Sequence, residues 1–217
     1  MEGKGSRARV TGKPLDGPVS RYINRPISTR ISSFIIRHSI PITPNQASLI
    51  SFLVALTCLP IIMAGHLWLG GILAQLSSIL DGVDGELARA RGLASRRGGF
   101  LDSMLDRYAD TAIVGGLALY LLGSGAPSDI AAGAAITALS GVLMVSYLHA
   151  RGLKDLGLHP IMLSRLGGAA GRDVRLFLVF VGCLASRPLE TLAVLGLLTH
   201  SYVVYMTVLL YSRSGRG

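Results

Sequence analysis

The chain has 217 residues, 50% of them hydrophobic, with a mean hydropathy of +0.53 and 15% charged residues; soluble domains average about 25% charged. This excludes a disordered chain, which is polar and charge-rich. It also argues against a soluble globular domain, because residues 38–80, 111–128, 130–150 and 191–212 contain no Asp, Glu, Lys or Arg. A membrane-spanning helix needs about 20 apolar residues, so the expected fold is an all-α, polytopic integral membrane protein.

Residues 1–40 read as a cytoplasmic N-terminal segment. Its first 18 residues are basic and are not followed at once by an apolar core, unlike a secretory signal. Beyond them Val19, Ile23, Ile27, Ile31 and Ile35 recur every four residues among Arg21, Arg25, Arg30 and Arg37. That spacing predicts an amphipathic helix lying in the cytoplasmic interface, or packing on the bundle. Pro26 divides the segment, and Asn24 can cap the second piece. Residues 41–217 form the membrane domain, with six spans predicted at 43–65, 67–90, 99–122, 129–150, 172–186 and 189–211. Cys58 and Cys183 fall in apolar stretches and read as buried thiols.

Lys and Arg set the orientation. Eight precede the first span, five lie between Arg89 and Arg107, five between Arg151 and Arg175, and two follow the last span. Only Arg187 falls on the other side, which predicts both termini and the two longer loops in the cytoplasm of a cell-membrane protein. The net charge of +9 is therefore a topology signal first. Basic residues beside spans do not make a nucleic-acid face, although they can attract anionic lipid or an anionic substrate.

Six of the 12 acidic residues fall between positions 81 and 110: Asp81, Asp84, Glu86, Asp102, Asp106 and Asp110. A carboxylate within a span costs a few kcal/mol even on the lenient insertion scale, so the cluster calls for something cationic. At about 100° per residue, Asp81, Asp84, Gly85 and Ala88 share one helical face, and Glu86 points about 140° away from Asp81, toward the loop or a basic neighbour. Asp102 and Asp106 are i,i+4 neighbours, and Asp110 continues their stripe with no role assigned. The short connection 91–98 predicts that the second and third spans are antiparallel neighbours, their carboxylates facing across a narrow gap. Oxygen donors without His or Cys suit hard cations, Mg²⁺ or Mn²⁺. Arg89 and Ser95 are candidates for phosphate oxygens. Two metal ions on such a cluster suit displacement at phosphorus. Salt bridging alone explains a pair of acids rather than four, and a proton or cation pathway would run through the bilayer rather than stop at one end.

The stretch Asp81-Gly82-Val83-Asp84-Gly85-Glu86-Leu87-Ala88-Arg89, followed by Gly98, Asp102 and Asp106, resembles the signature of the CDP-alcohol phosphotransferase family, and the six-span architecture agrees. The resemblance implies transfer of a phospho-alcohol from a CDP-alcohol to an acceptor hydroxyl, with release of CMP. It implies that Asp81, Asp84, Asp102 and Asp106 hold two Mg²⁺ (or Mn²⁺) ions and that Asp106 is also the catalytic base. Gly85, Arg89 and Ser95 would contact the CDP moiety, together with Pro44 and Asn45 of the stretch Thr43-Pro44-Asn45-Gln46. A homodimer is the family expectation.

Two segments, Lys13 to Ser28 and Gly171 to Phe177, resemble the subgroup that makes di-myo-inositol phosphate phosphate from CDP-inositol and inositol 1-phosphate. There the domain is often fused to a cytidylyltransferase; this chain shows no such domain, so another protein is expected to supply its donor. Arg165, Arg172 and Arg175 are candidates for an acceptor phosphate, since arginine forks match phosphate oxygens, and are equally readable as topology signals. His66 and His159 read as ordinary loop and interface residues. Within the family the rival reading is phospholipid synthesis from CDP-diacylglycerol or CDP-archaeol, with inositol phosphate, glycerol phosphate or serine as acceptor. Rivals from other classes are a membrane prenyltransferase and a transporter.

Overall fold

The computed structural model describes residues 16–164 and 166–214, and among these every regular element is helical. A π-turn at Ser20–Asn24 leads into α1 (Arg25–Arg37). Then follow α2 (Pro44–Met63), α3 (Leu67–Ala90), α4 (Arg96–Gly123), α5 (Ser128–Leu156), the single turn α6 (Pro160–Leu163), α7 (Arg172–Leu184) and α8 (Pro188–Ser214). Helices α2, α3, α4, α5, α7 and α8 overlie the six stretches expected as spans. Three of them, α2, α5 and α8, are long and apolar enough to cross a membrane.

Local chemistry sets the helix ends. The Thr43 hydroxyl accepts from the Gln46 amide while the Gln46 side chain accepts from the Thr43 amide, a reciprocal cap with Pro44 at the first helical position. Ser95 caps α4 by accepting from the Gly98 amide at 3.0 Å. At the far end of α5 the chain turns through Gly157 at φ +65°, a conformation that favours glycine.

Helix α2 packs along both α3 and α4, α7 along α3, and α8 along α5. The shared core is built from small and aliphatic side chains: Ala55, Cys58, Ile62, Ala74, Ile113, Leu117, Val179 and Leu192. Both thiols are free and buried, as expected. Small residues set the spacing: a Cβ on Gly116 would lie 3.1 Å from the Leu59 Cα of α2, and one on Gly141 would run into the Thr199 hydroxyl of α8. The outside of α2, α5 and α8 exposes Leu53, Ile136, Leu197, Val204 and Val208.

One expectation is corrected. The α3 and α4 backbones are not packed against each other; α2 bridges them, and only their acidic ends converge. The separation leaves room for a cavity between those ends. The isoleucine stripe divides between two surroundings: Ile31 and Ile35 pack on the bundle with Val83 and Leu87, while Ile23 and Ile27 are exposed. Asn24, Ser28 and Ser32 are buried against the bundle as well. The physical reason is Glu86, whose buried carboxylate on α3 needs polar partners.

Candidate active site

Helical periodicity brings the acids of α3 and α4 to one place. One carboxylate oxygen each from Asp81, Asp102 and Asp106 lies within 4.8 Å of the others. Asp84 joins them: its carboxyl group is within hydrogen-bond reach of Asp102, and it accepts from the Ser48 hydroxyl of α2 and from the Gly85 amide. All four predicted carboxylates therefore converge. An all-oxygen donor set at this spacing fits a hard divalent cation.

Arginines face the acids from the other side. Arg172, at the start of α7, lies 3.0 Å from both Asp81 and Asp106, and its Nε donates to Asp110 at 3.2 Å. Arg175 lies 3.3 Å from Asp110 and donates to the Val142 carbonyl of α5 at 2.8 Å. Arg107 sits 3.6 Å from Asp106 and 3.5 Å from Asp110. Asp110, left without a role by the sequence, is thus the buried anchor of three arginines. Its signal was the i,i+4 continuation of the Asp102–Asp106 stripe. Of the three arginines expected at an acceptor phosphate, Arg172 and Arg175 are brought together here and Arg165 lies outside the described residues.

Two cavities meet at the cluster. One, of about 380 Å³, is walled by Asp84 and Asp102 and contains every residue expected at the CDP moiety: Pro44, Asn45, Gly85, Arg89, Ser95. Gly98 lies between two of them, since a Cβ there would approach the Ser95 hydroxyl at 3.2 Å and the Asn45 amide oxygen at 3.4 Å. Ser95 spends a lone pair on its cap, so its hydroxyl proton stays available to a phosphate. The other cavity, of about 890 Å³, is walled by Asp81 and Asp106 and by Arg107, Arg172, His149 and His159. Burial pushes the His159 imidazole below its usual pKa.

The N-terminal segment docks beside this larger cavity. Arg25 is held by Asp16 at 2.8 Å and by Glu86 at 2.6 Å. Burial works against its charge, but these carboxylates more than offset that and raise its pKa. Glu86 also accepts from Ser28 at 2.7 Å and Ser32 at 2.6 Å. The basic neighbour expected for Glu86 is therefore on α1 rather than in the loop. Gly82 permits the docking, because a Cβ there would lie 3.1 Å from the Ser28 hydroxyl and 3.2 Å from Arg25 Nη1.

Ser48 was not singled out from the sequence, although it lies on the Pro44–Asn45 side of α2. Outer hydrogen bonds to a metal ligand hold its orientation. Ser48→Ala is expected to weaken divalent-cation binding at the carboxylate cluster by about tenfold, read from the midpoint of a Mn²⁺ titration of the protein in detergent. An unchanged midpoint would reduce Ser48 to packing.

The model of the CDP-alcohol phosphatidyltransferase family matches residues 41–213. A bifunctional IPC transferase and DIPP synthase of Rubrobacter xylanophilus is 48% identical over 183 residues, covering 84% of this chain and 40% of that protein. The chain thus spans well under two thirds of that relative. An archaetidylinositol phosphate synthase of Pyrococcus horikoshii is 37% identical over 147 residues, 67% of this chain and 71% of its own length. The fold is shared with the phosphatidylinositol phosphate synthase of Mycobacterium tuberculosis. Its structure with CDP-DAG bound has a TM-score of 0.72 at 22% identity, covering 86% of this chain and 94% of that one. The same enzyme has been crystallised with manganese and citrate.

Proposed function

The chain belongs to the CDP-alcohol phosphatidyltransferase family, and from that premise we propose that it transfers the phospho-alcohol of a CDP-alcohol to the hydroxyl of a phosphorylated polyol. We read it as a six-span membrane protein with its site at the cytoplasmic face. The observation that carries the reading is the meeting of two cavities at one carboxylate cluster, with the nucleotide-contact residues in one and the arginines at the other.

Asp81, Asp84, Asp102 and Asp106 would hold two Mg²⁺ or Mn²⁺ ions, which when bound neutralise the diphosphate and the charge developing on leaving CMP. The chain's own residues do the rest. Arg89, Ser95 and Asn45 hold the CDP moiety in the smaller cavity. Arg172 faces the acceptor phosphate from the larger one, where its fork matches phosphate oxygens. Asp106, on that same side, takes the proton of the acceptor hydroxyl. The hydroxyl oxygen forms a bond to the phosphorus bearing the donor alcohol, the bond from that phosphorus to the bridging oxygen breaks, and CMP leaves with the electron pair. Positioning and electrostatics dominate such a displacement.

The favoured donor is CDP-inositol and the favoured acceptor inositol 1-phosphate, a reading supported by the DIPP synthase relative. A lipid donor is the second reading, supported by the archaetidylinositol phosphate synthase relative and by the CDP-DAG bound in the structure of like fold. The test is CMP release by detergent-purified protein with Mg²⁺, from CDP-inositol and from CDP-diacylglycerol, each with inositol 1-phosphate. Turnover with the soluble donor is expected. Turnover only with the lipid donor would move the protein to phospholipid synthesis.

A further inference from the structure

The wall of the larger cavity carries polar groups that the transfer chemistry leaves unused, His149 among them. His149, on α5, lines the cavity, and its Nε2 lies 2.9 Å from the Tyr202 hydroxyl of α8. That hydroxyl in turn donates to the Gly167 carbonyl at 2.6 Å. The chain of bonds fixes the proton positions. A carbonyl can only accept, so the single hydroxyl proton of Tyr202 goes to Gly167. Tyr202 is then left with lone pairs toward His149, and Nε2 must be the donor. Neutral His149 therefore carries its hydrogen on Nε2 and a bare lone pair on Nδ1.

The Nδ1 atom has no hydrogen-bond partner among the described residues, and it is not one of the sealed buried atoms. The Nε2 edge is committed to buried Tyr202 while the residue lines the cavity. A bare nitrogen lone pair accepts from O–H and offers nothing to a phosphate oxygen, itself an acceptor. The same cavity already holds Arg107, Arg172 and Arg175 for negative charge. We propose that His149 turns Nδ1 to the cavity and is a specificity-determining residue that reads a non-reacting hydroxyl of the polyol acceptor through it, the tautomer set by Tyr202 and Gly167. This deepens the transferase reading and rests on it.

Two substitutions separate this role from a structural one. Asn keeps a polar atom near the position of Nδ1 and loses the reach to Tyr202; Gln keeps a polar atom near Nε2 and loses the one at Nδ1. Binding of inositol 1-phosphate, inorganic phosphate and CMP to the full chain in detergent with Mg²⁺ is measured by calorimetry for wild type, His149→Asn and His149→Gln. The expected result is about tenfold weaker inositol 1-phosphate binding in His149→Gln, as for a buried hydroxyl left without its acceptor. His149→Asn should stay within about threefold of wild type, and phosphate and CMP should bind all three alike. Equal loss in both variants, or loss in Asn with retention in Gln, overturns the proposal and leaves His149 a strut for Tyr202. Wild type that binds CMP but not inositol 1-phosphate also overturns it, while the transferase reading stands. Failure of wild type to bind CMP removes that reading, and the inference with it.

Discussion

Asp106→Asn is expected to lower turnover by about 10³-fold, within the range a positioned general base contributes, while leaving CMP affinity within about threefold. The split follows from where the carboxylate sits. Asp106 belongs to the wall of the larger cavity, whereas the smaller one is walled by Asp84 and Asp102. Asn keeps the shape of the side chain, and Arg172 retains Asp81 at 3.0 Å and Asp110 at 3.2 Å as partners. The variant therefore removes a proton acceptor, and the charge of one of the four carboxylates proposed to hold metal, without emptying the site. Asp84→Asn, by contrast, alters the nucleotide cavity itself and is expected to weaken CMP and lower turnover together. Single-turnover CMP release and calorimetric CMP binding, measured on the same preparations, test the pair. An Asp106→Asn enzyme with more than a tenth of wild-type turnover would remove Asp106 from the base role.

What the sequence disclosed, and what it did not, divides along physical lines. Helical periodicity is local, so the convergence of Asp81 with Asp84 and of Asp102 with Asp106 was readable from spacing alone. The grouping of Pro44, Asn45, Gly85, Arg89 and Ser95 came from another source: the resemblance carries positions, and these residues line one cavity. The partners across helices were not readable. Nothing local tells Asp110 that Arg172 and Arg175 lie beside it, 62 residues on for the first, or tells Ser48 that it faces Asp84. The isoleucine stripe left the placement of α1 open, between the interface and the bundle, because apolar periodicity marks a face that avoids water without saying which apolar medium it meets. Here the bundle side of α1 combines Ser28 and Ser32 with Ile31 and Ile35, and the exposed side, with Ile27 and Phe34, is free to meet lipid.

Glu86→Ala is expected to destabilise the protein by about 3 kcal/mol, the lower part of the range for breaking a buried ion pair by removing one partner. The Glu86 side chain is fully buried, and its two oxygens take Arg25 Nη1, Ser28 and Ser32. Its removal leaves two buried hydroxyls without their acceptor and a largely buried guanidinium with one carboxylate, Asp16, instead of two. The remaining Asp16 pair is why the lower end of the range applies. The loss should reach the active site as well. Arg25 and Ser28 press on Gly82, between Asp81 and Asp84, so freeing α1 loosens the turn of α3 that carries both carboxylates. The measurement is thermal unfolding in detergent of Glu86→Ala, Arg25→Ala and the double variant, as a double-mutant cycle. If the pair acts as a unit, the double variant should be less destabilised than the sum of the singles, because removing both charges spares the cost of one left buried and alone. Additive losses would mean that α1 and α3 are held by packing of Ile35 with Val83 and Leu87, and that the polar face of α1 contributes alignment without net stability.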